Sequence, residues 1–325
     1  MSGVSQREVA PEEEGMRLDR WFKALYPDLS FGRLQKLLRS GQVRLDGKRV
    51  KSNQRLQVGQ IIRVPPLQNE ACGAVSISQA ALSDLKEMTL YDDGTVMVLN
   101  KPAGLAVQGG SGQNTHVDKM LASLEQGGQQ RGRLVHRLDK ETSGVLVIGR
   151  TRAAASKLAE AFKARETRKI YWSLVRGVPK PREGRISTWL GKQQDETGER
   201  MRSSRMRRAD ASHAVTHFVV ADQAAQRLAW LIMQPVTGRT HQLRAHAADI
   251  GHPIIGDGKY FNIENWELPG GMQNRLHLHA NSISIPHPDG GLLEMSAPLP
   301  AHMQQSWNLL GFVPANGAHA EELLP

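Results

Sequence analysis

The sequence predicts an α+β protein: a large domain around a mostly antiparallel sheet, preceded by a small αβ domain of two helices and a hairpin. Three observations predict it. Between residues 89 and 312, runs with strand patterning predominate and are joined by turns. The helical stretches among them come irregularly, which speaks against repeated βαβ units. The first 66 residues carry an apolar pattern of their own, closed by Pro65-Pro66. A chain of 325 residues, 39% of them hydrophobic, has room for two domains with separate cores.

In chain order, residues 1–15 are polar and are expected to be flexible. "MRLDRWFKALYP" spaces Leu18, Trp21, Phe22 and Leu25 along one helix face. "SFGRLQKLLRSG" does the same with Leu34, Leu37 and Leu38, with Ser30 as the expected N-cap and Gly41 as the stop. Val43 and Leu45 then alternate with charge, Asp46-Gly47 signals a hairpin, and Ile61, Ile62 and Val64 form a closing strand. The domain spans 16–66, and 67–88 is expected to be a linker. The larger domain spans 89–312. Its strands are expected at Val96–Leu99, "GVLVIGR", "RKIYWSLVRG", "ASHAVTHFVVAD", "RLAWLIMQPV" and "RLHLHANSISIPHP". Its helices are expected at "VDKMLASLEQ", "AAASKLAEAFKARE" and "THQLRAHAADIG", the last capped by Thr240. Residues 313–325 read as a tail, and the basic stretch 199–208 as a mobile loop facing RNA or solvent.

Charge narrows the partners. The chain carries a net +10. Within residues 16–66, twelve Lys and Arg stand against three Asp, so +9 of that excess lies in about a sixth of the length. Either this is a solvated helix face, or it is a module that touches phosphates. No apolar stretch approaches the roughly 20 residues of a membrane helix. The acid-rich N-terminus has no apolar core and does not read as a secretory signal. Cys72 is the single cysteine, which excludes an internal disulfide and a cysteine-based zinc cage. A cytoplasmic protein is expected. No P-loop or dinucleotide fingerprint is present, so no cofactor is implied.

Four stretches place reactive groups on or beside turns. In "HRLDKETSG", Asp139 stands between Arg137 and Lys140, whose positive charge favours the carboxylate, although an Asp beside Arg is usually a plain ion pair. In "KIYWSLVRG", alternation puts Ile170, Trp172 and Leu174 on one sheet face and Tyr171 on the other. "TGRTHQLRAHAADIGHPIIGD" sets Arg239 before a helix and Arg244 on its first turn. In "RLHLHA", His277 and His279 share a strand face. With His241 and His246 they leave open a metal-dependent hydrolase, though no cysteine and few acids accompany them.

Taken together, "NKPAGLAVQGGSG", "GRLVHRLDKETSGVLVIGRT", "KIYWSLVRG", "TGRTHQLRAHAADIGHPIIGDGKY" and "RLHLHANSISIPHP" resemble, in order, the motif series of the RluA/RluC/RluD-type pseudouridine synthases, and lean toward the RluC-like branch. The basic unit, with "RSGQVRLDGKRV" and "VGQIIRV", resembles an S4 RNA-binding domain. The resemblance implies the pseudouridine synthase fold and an isomerase that converts specific uridines of RNA, above all large-subunit ribosomal RNA. It implies Asp139 as the essential carboxylate, Tyr171 as the tyrosine beside the target base and Arg244 as the partner of Asp139. It implies Arg137 as the residue that takes the place of the flipped base. The RNA-binding candidates are Arg137, His136, Arg239, His241 and Lys101, with Arg33, Lys36, Arg39 and Arg44 in the S4-like unit. No metal, cofactor or protein partner is implied, and a monomer is expected. Attack at C1′ and abstraction of the C2′ proton both remain open. So does a non-catalytic RNA-binding or ribosome-assembly factor on the same scaffold.

Overall fold

The computed structural model describes all residues except 1–3, 27, 28, 30, 68–78, 110–114, 127–129, 196–197, 208 and 262–265. The expected cap Ser30 and the lone Cys72 therefore lie outside the described residues. Contacts divide the chain into Met1–Ser76 and Ile77–Pro325.

The first unit contains β1 (Ser5–Glu8), α1 (Leu18–Leu25), α2 (Phe31–Arg39), β2 (Arg44–Leu45) and β3 (Ile61–Val64). The helices bury the faces their spacing predicts: Leu18, Trp21 and Phe22 from α1, Leu34 and Leu38 from α2. Gly41 ends α2 in the left-handed conformation, φ 73°, and its amide returns to the Leu38 carbonyl. Asp46 and Gly47 both have positive φ, 48° and 73°, as a tight hairpin turn requires. The Asp46 carboxylate also accepts the Ile61 amide at 2.8 Å, tying the turn to β3. The expectation of a flexible 1–15 is corrected, because β1 pairs antiparallel with β3. All four β1 side chains are exposed, so this strand is held by its backbone and leaves no apolar period to read.

The second unit is one large sheet with helices on both faces. Its elements are α3 (Gln79–Met88), β4 (Thr89–Asp92), β5 (Val96–Lys101), α4 (Val117–Gln126), β6 (Arg133–Leu134), β7 (Ser143–Gly149), α5 (Arg152–Ala164), β8 (Arg168–Arg176), β9 (Glu183–Asp195) and β10 (Gly198–Ser204), then β11 (Ser212–Ala224), β12 (Leu228–Pro235), α6 (Gln242–Asp249), β13 (Leu278–Pro286), β14 (Leu292–Ser296), α7 (Ala301–Leu310) and α8 (Pro314–Glu322). The strand order is β10-β9-β11-β12-β8-β13-β7-β5-β4, with β14 beside β13 and β6 beside β7. Strand pairing is antiparallel except between β13 and β7.

Both faces are buried at the centre of the sheet, and the strands there show it. In β7, Leu146 and Ile148 pack with Leu85 of α3 and Leu121 of α4, while Val145 and Val147 pack with Leu158 of α5. In β8, Ile170, Trp172 and Leu174 share one cluster with Trp230 and Trp307, and Tyr171 faces the other way.

Three further expectations are corrected. Within 67–88, residues 79–88 are helix α3, whose Leu85 enters the core. Within 199–208, the chain continues as β10, paired with β9 from Gly198–Asp195 to Ser204–Trp189. Within 313–325, α8 docks on the sheet and its Glu321 carboxylate accepts the Trp172 indole N–H at 3.0 Å. α8 is built of small residues. A Cβ on Gly317 would stand 2.6 Å from the Trp230 ring, so close approach substitutes for an apolar stripe. Among the described residues no helix is long and apolar enough to cross a membrane.

Candidate active site

Asp139 lies on the loop between β6 and β7, and its neighbours fix that loop from several sides. The Thr142 amide donates to the Asp139 carbonyl at 3.1 Å. The Lys140 carbonyl accepts the Gly104 amide at 2.9 Å and the Lys101 ammonium at 3.0 Å. His136 accepts the Val147 amide at 2.8 Å and stacks on Phe162 at 4.4 Å. Gly144 runs so close to β13 that a Cβ there would meet the Ala280 carbonyl oxygen at 2.1 Å, and its φ is 108°. The loop is thus anchored where the sheet turns parallel.

The carboxylate faces α6. Asp139 Oδ2 is 3.8 Å from an Arg244 terminal nitrogen and 4.0 Å from His241 Nε2. Arg244 is held elsewhere more tightly. It grips Asp257 with two charge-assisted bonds, from Nε at 2.7 Å and from the other terminal nitrogen at 2.6 Å. Burial works against the Arg244 charge, and Asp257 more than restores it. Asp257 is itself satisfied by the Lys259 and Tyr260 amides, at 2.9 and 3.2 Å. The Tyr260 ring lies 5.3 Å from the Arg244 guanidinium carbon.

These groups open onto a cleft of about 510 Å³ lined by Arg137, Asp139, Tyr171, Arg239, His241 and Arg244. Lys163, Arg165 and Lys169 add positive charge to its wall. Burial, and then the Asp139 charge, raise the Tyr171 pKa well above the ordinary phenol range, so Tyr171 stays a neutral donor.

The sequence and the structure part at several residues. Arg137 and Arg239 stand at the cleft, but Lys101 is fully buried and cannot reach RNA. Its amine bonds the carbonyls of Pro102, Leu105 and Lys140 at 2.8, 2.8 and 3.0 Å. Burial pulls its pKa down to about 7, yet three acceptors require three N–H donors, which only the ammonium supplies. Lys101→Met should strand those carbonyls and cost roughly 1–3 kcal/mol per buried group left unmade. Urea denaturation checks this, and an unchanged midpoint would show that the lysine does not hold the loop. His136 lines the cleft with its Nε2 already committed to the Val147 amide, and burial pushes its pKa down to about 3.

Thr240 does not cap α6. His241 occupies that position with φ 51° and no capping bond from its side chain. Gln242 secures the turn instead, accepting from Arg239 N and Thr237 Oγ1 and donating to the Val215 carbonyl.

The histidines proposed as metal ligands have separate partners. His246 bonds Thr188 and Thr216, His277 bonds Ser306 and the Arg275 carbonyl, and His279 bonds Ser143 and the Ala297 carbonyl. No set of three His, Cys, Asp or Glu groups suited to a metal occurs among the described residues.

In the first unit, Arg33, Lys36 and Arg39 line the exposed side of α2. Arg44 is also exposed, but it donates to the Gly41 and Gly47 carbonyls, at 3.1 Å each, and so braces the hairpin.

Asp257 and Tyr260 went unassigned in the sequence. The signal was present in "GDGKY", where an acid follows Gly256. A Cβ on Gly256 would lie 1.9 Å from the Arg275 carbonyl oxygen, so this glycine lets the chain deliver Asp257 to Arg244.

Comparison with known proteins agrees with this geometry. The family described as RNA pseudouridylate synthase matches residues 95–249, and the S4 domain matches residues 16–62. The "Ribosomal large subunit pseudouridine synthase C" of Escherichia coli (strain K12) is 34% identical over 90% of this chain and 92% of its own length. The "RNA pseudouridine synthase 4, mitochondrial" of Arabidopsis thaliana is 33% identical over 90% of this chain and 78% of its own. Among solved structures, the "Human RNA Pseudouridylate Synthase Domain Containing 4" aligns with a TM-score of 0.60 and 29% identity, over 71% of this chain and 96% of that one. Sequence motifs, a carboxylate in a basic cleft and full-length relatives converge, and the chain belongs to the RNA pseudouridylate synthase family: it is an isomerase that turns uridine in RNA into pseudouridine, with an S4 domain ahead of its catalytic domain.

Proposed function

We propose that the chain modifies particular uridines of large-subunit ribosomal RNA, with Asp139 as the reacting carboxylate. The observation that carries this reading is the placement of Asp139: one acid in a basic-rimmed cleft, within 4.0 Å of both Arg244 and His241. The relatives named as large-subunit synthases support the RNA class. Uridine inside folded RNA must be flipped out to expose C1′, at a cost of a few kcal/mol. Phosphate contacts from the basic surface offset that cost, and Arg137 at the rim fills the gap the base leaves.

Breaking the N1–C1′ bond leaves positive character on the sugar and negative charge on the uracil. Asp139 either attacks C1′ or removes the C2′ proton. Arg244 steadies the carboxylate without neutralising it, because its two strong bonds go to Asp257. The freed uracil turns beside Tyr171, rejoins through C5 and loses the C5 proton. The chain is read as a cytoplasmic monomer that acts on RNA without a second protein. The test is to map pseudouridines in RNA from cells lacking the protein and to add the purified enzyme back. Sites that vanish, lie outside large-subunit RNA and return on addition would redirect the assignment.

The S4 unit supplies sequence-independent affinity. Removing residues 1–76 should leave a folded catalytic domain, since its core clusters use residues from Leu82 onward. The removed stretch contains the 16–66 segment with its net +9. If four or five of those side chains touch phosphate, the slope of log K against log salt should flatten by about three to four units. Titrating both forms with the same RNA over a range of salt checks it, and parallel lines would mean that the basic face is only solvated.

A further inference from the structure

β10 is the outermost strand of the large sheet, so the amides on its outer side have no neighbouring strand among the described residues. One of them has another use. The Met201 amide donates to the Tyr260 hydroxyl at 2.8 Å. That hydroxyl lies 3.2 Å from His241 Nδ1, and the two rings meet edge to face. His241 Nε2 in turn faces Asp139 Oδ2 at 4.0 Å. A chain of contacts therefore runs from the backbone of an arginine-flanked edge strand to the carboxylate in the cleft.

The hydrogen-bond network assigns the protons along this chain. The Tyr260 oxygen accepts from Met201, so its single proton is free to point at His241. Burial pushes the Tyr260 pKa up to about 12, which keeps that proton on the oxygen. His241 Nδ1 is then an acceptor. Burial also holds the imidazole below its ordinary pKa, and the charges around it are of both signs: Asp139 and Asp257 against Arg244 and Lys259. A neutral ring that accepts at Nδ1 carries its proton on Nε2, the nitrogen turned toward Asp139. The backbone adds a constraint. His241 sits at φ 51°, a strained conformation for a residue with a Cβ, which persists only where the surroundings enforce it.

We propose that Tyr260 is a positioning residue: docked on the β10 backbone, it fixes His241 as the Nε2–H tautomer and aims that N–H at the reacting carboxylate. The proposal rests on the assignment of Asp139 given above. At 4.0 Å the N–H is too far for a full hydrogen bond, so it orients Oδ2 by its dipole and leaves the oxygen available. The opposite tautomer would present a lone pair to the carboxylate and repel it. A doubly protonated ring would lock the carboxylate in an ion pair.

The tautomer can be read directly. Full-length protein with ¹⁵N-labelled histidine gives long-range proton–nitrogen spectra that distinguish Nδ1 from Nε2 protonation, with the His241 signals assigned through His241→Asn. Wild type should show the Nε2–H form of His241, unchanged from about pH 7 to 8. Tyr260→Phe should release the ring into mixed tautomers. It should slow single-turnover pseudouridine formation about tenfold, the worth of roughly one hydrogen bond, without weakening RNA binding. Met201→Pro removes the same link at its other end, at an edge position where proline is tolerated, and should reproduce both effects. A wild-type ring protonated at Nδ1, or a Tyr260→Phe protein with the wild-type tautomer and rate, would overturn the proposal. Because the tautomer is read without substrate, full turnover by an Asp139→Asn protein would instead overturn the assignment on which the proposal rests.

Discussion

Asp139→Asn should lower turnover by at least about a hundredfold, the low end of what a positioned acid–base group contributes. The amide keeps the shape of the carboxylate but is neither a nucleophile nor a base, so both routes through the N1–C1′ step fail alike. RNA affinity should stay within about threefold, less than 1 kcal/mol, because phosphate contacts elsewhere supply most of it. Stability should hold as well. Arg244 keeps its bidentate bond to Asp257 when Asp139 loses its charge. Single-turnover kinetics on RNA, with a binding titration and a melting curve alongside, test the three expectations together. Near-normal turnover would remove Asp139 from the chemistry. A large fall in melting temperature would make it a structural residue.

Arg244→Ala should cost about 3–5 kcal/mol of stability and abolish activity with it. The reason is Asp257, whose side chain has no exposure at all. Without the guanidinium it becomes a buried charge that only backbone amides can answer. Asp257→Ala should be comparably damaging, because it strands Arg244 and leaves the Lys259 and Tyr260 amides without their acceptor. The double variant Arg244→Met/Asp257→Leu separates the two roles. Buried ion pairs can be replaced by well-packed apolar residues at little net cost, so much of the lost stability should return. Activity should not, because Asp139 then lacks the guanidinium charge beside it. Denaturant midpoints and pseudouridine yield for all three proteins check the argument. A double variant as active as wild type would show that Arg244 serves the fold alone.

Much of the fold was legible because its signals are local. The 3.6-residue spacing in α1, α2 and α4, the apolar run of β7, the alternation of β8 and the Asp46-Gly47 turn each report a conformation decided within a few residues. That Asp139, Tyr171 and Arg244 share one cleft agrees with the motifs that singled them out.

Other elements had no local signature. β1 and β10 are held by backbone pairing, with few side chains to bury, and α8 docks through small residues, so none of them displays an apolar period. Lys101 looked like a basic residue for RNA because a sequence does not show which carbonyls will surround an amine. The resemblance paired Arg244 with Asp139, whereas both short bonds of the guanidinium go to Asp257. Asp139 precedes Arg244 by about a hundred residues and Asp257 follows within four turns of chain, and both are acids. Only the tertiary structure could choose between them. α6 packs against β10, β11 and β12, and from there Arg244 reaches to 3.8 Å from Asp139. Gly256, passing against the Arg275 carbonyl with no room for a Cβ, then delivers Asp257 to the guanidinium at hydrogen-bonding distance and leaves Asp139 at 3.8 Å. The residue types that can do the chemistry are a property of the sequence; which charge is spent on the fold and which is kept for the reaction is settled by distances of about 1 Å that only packing sets.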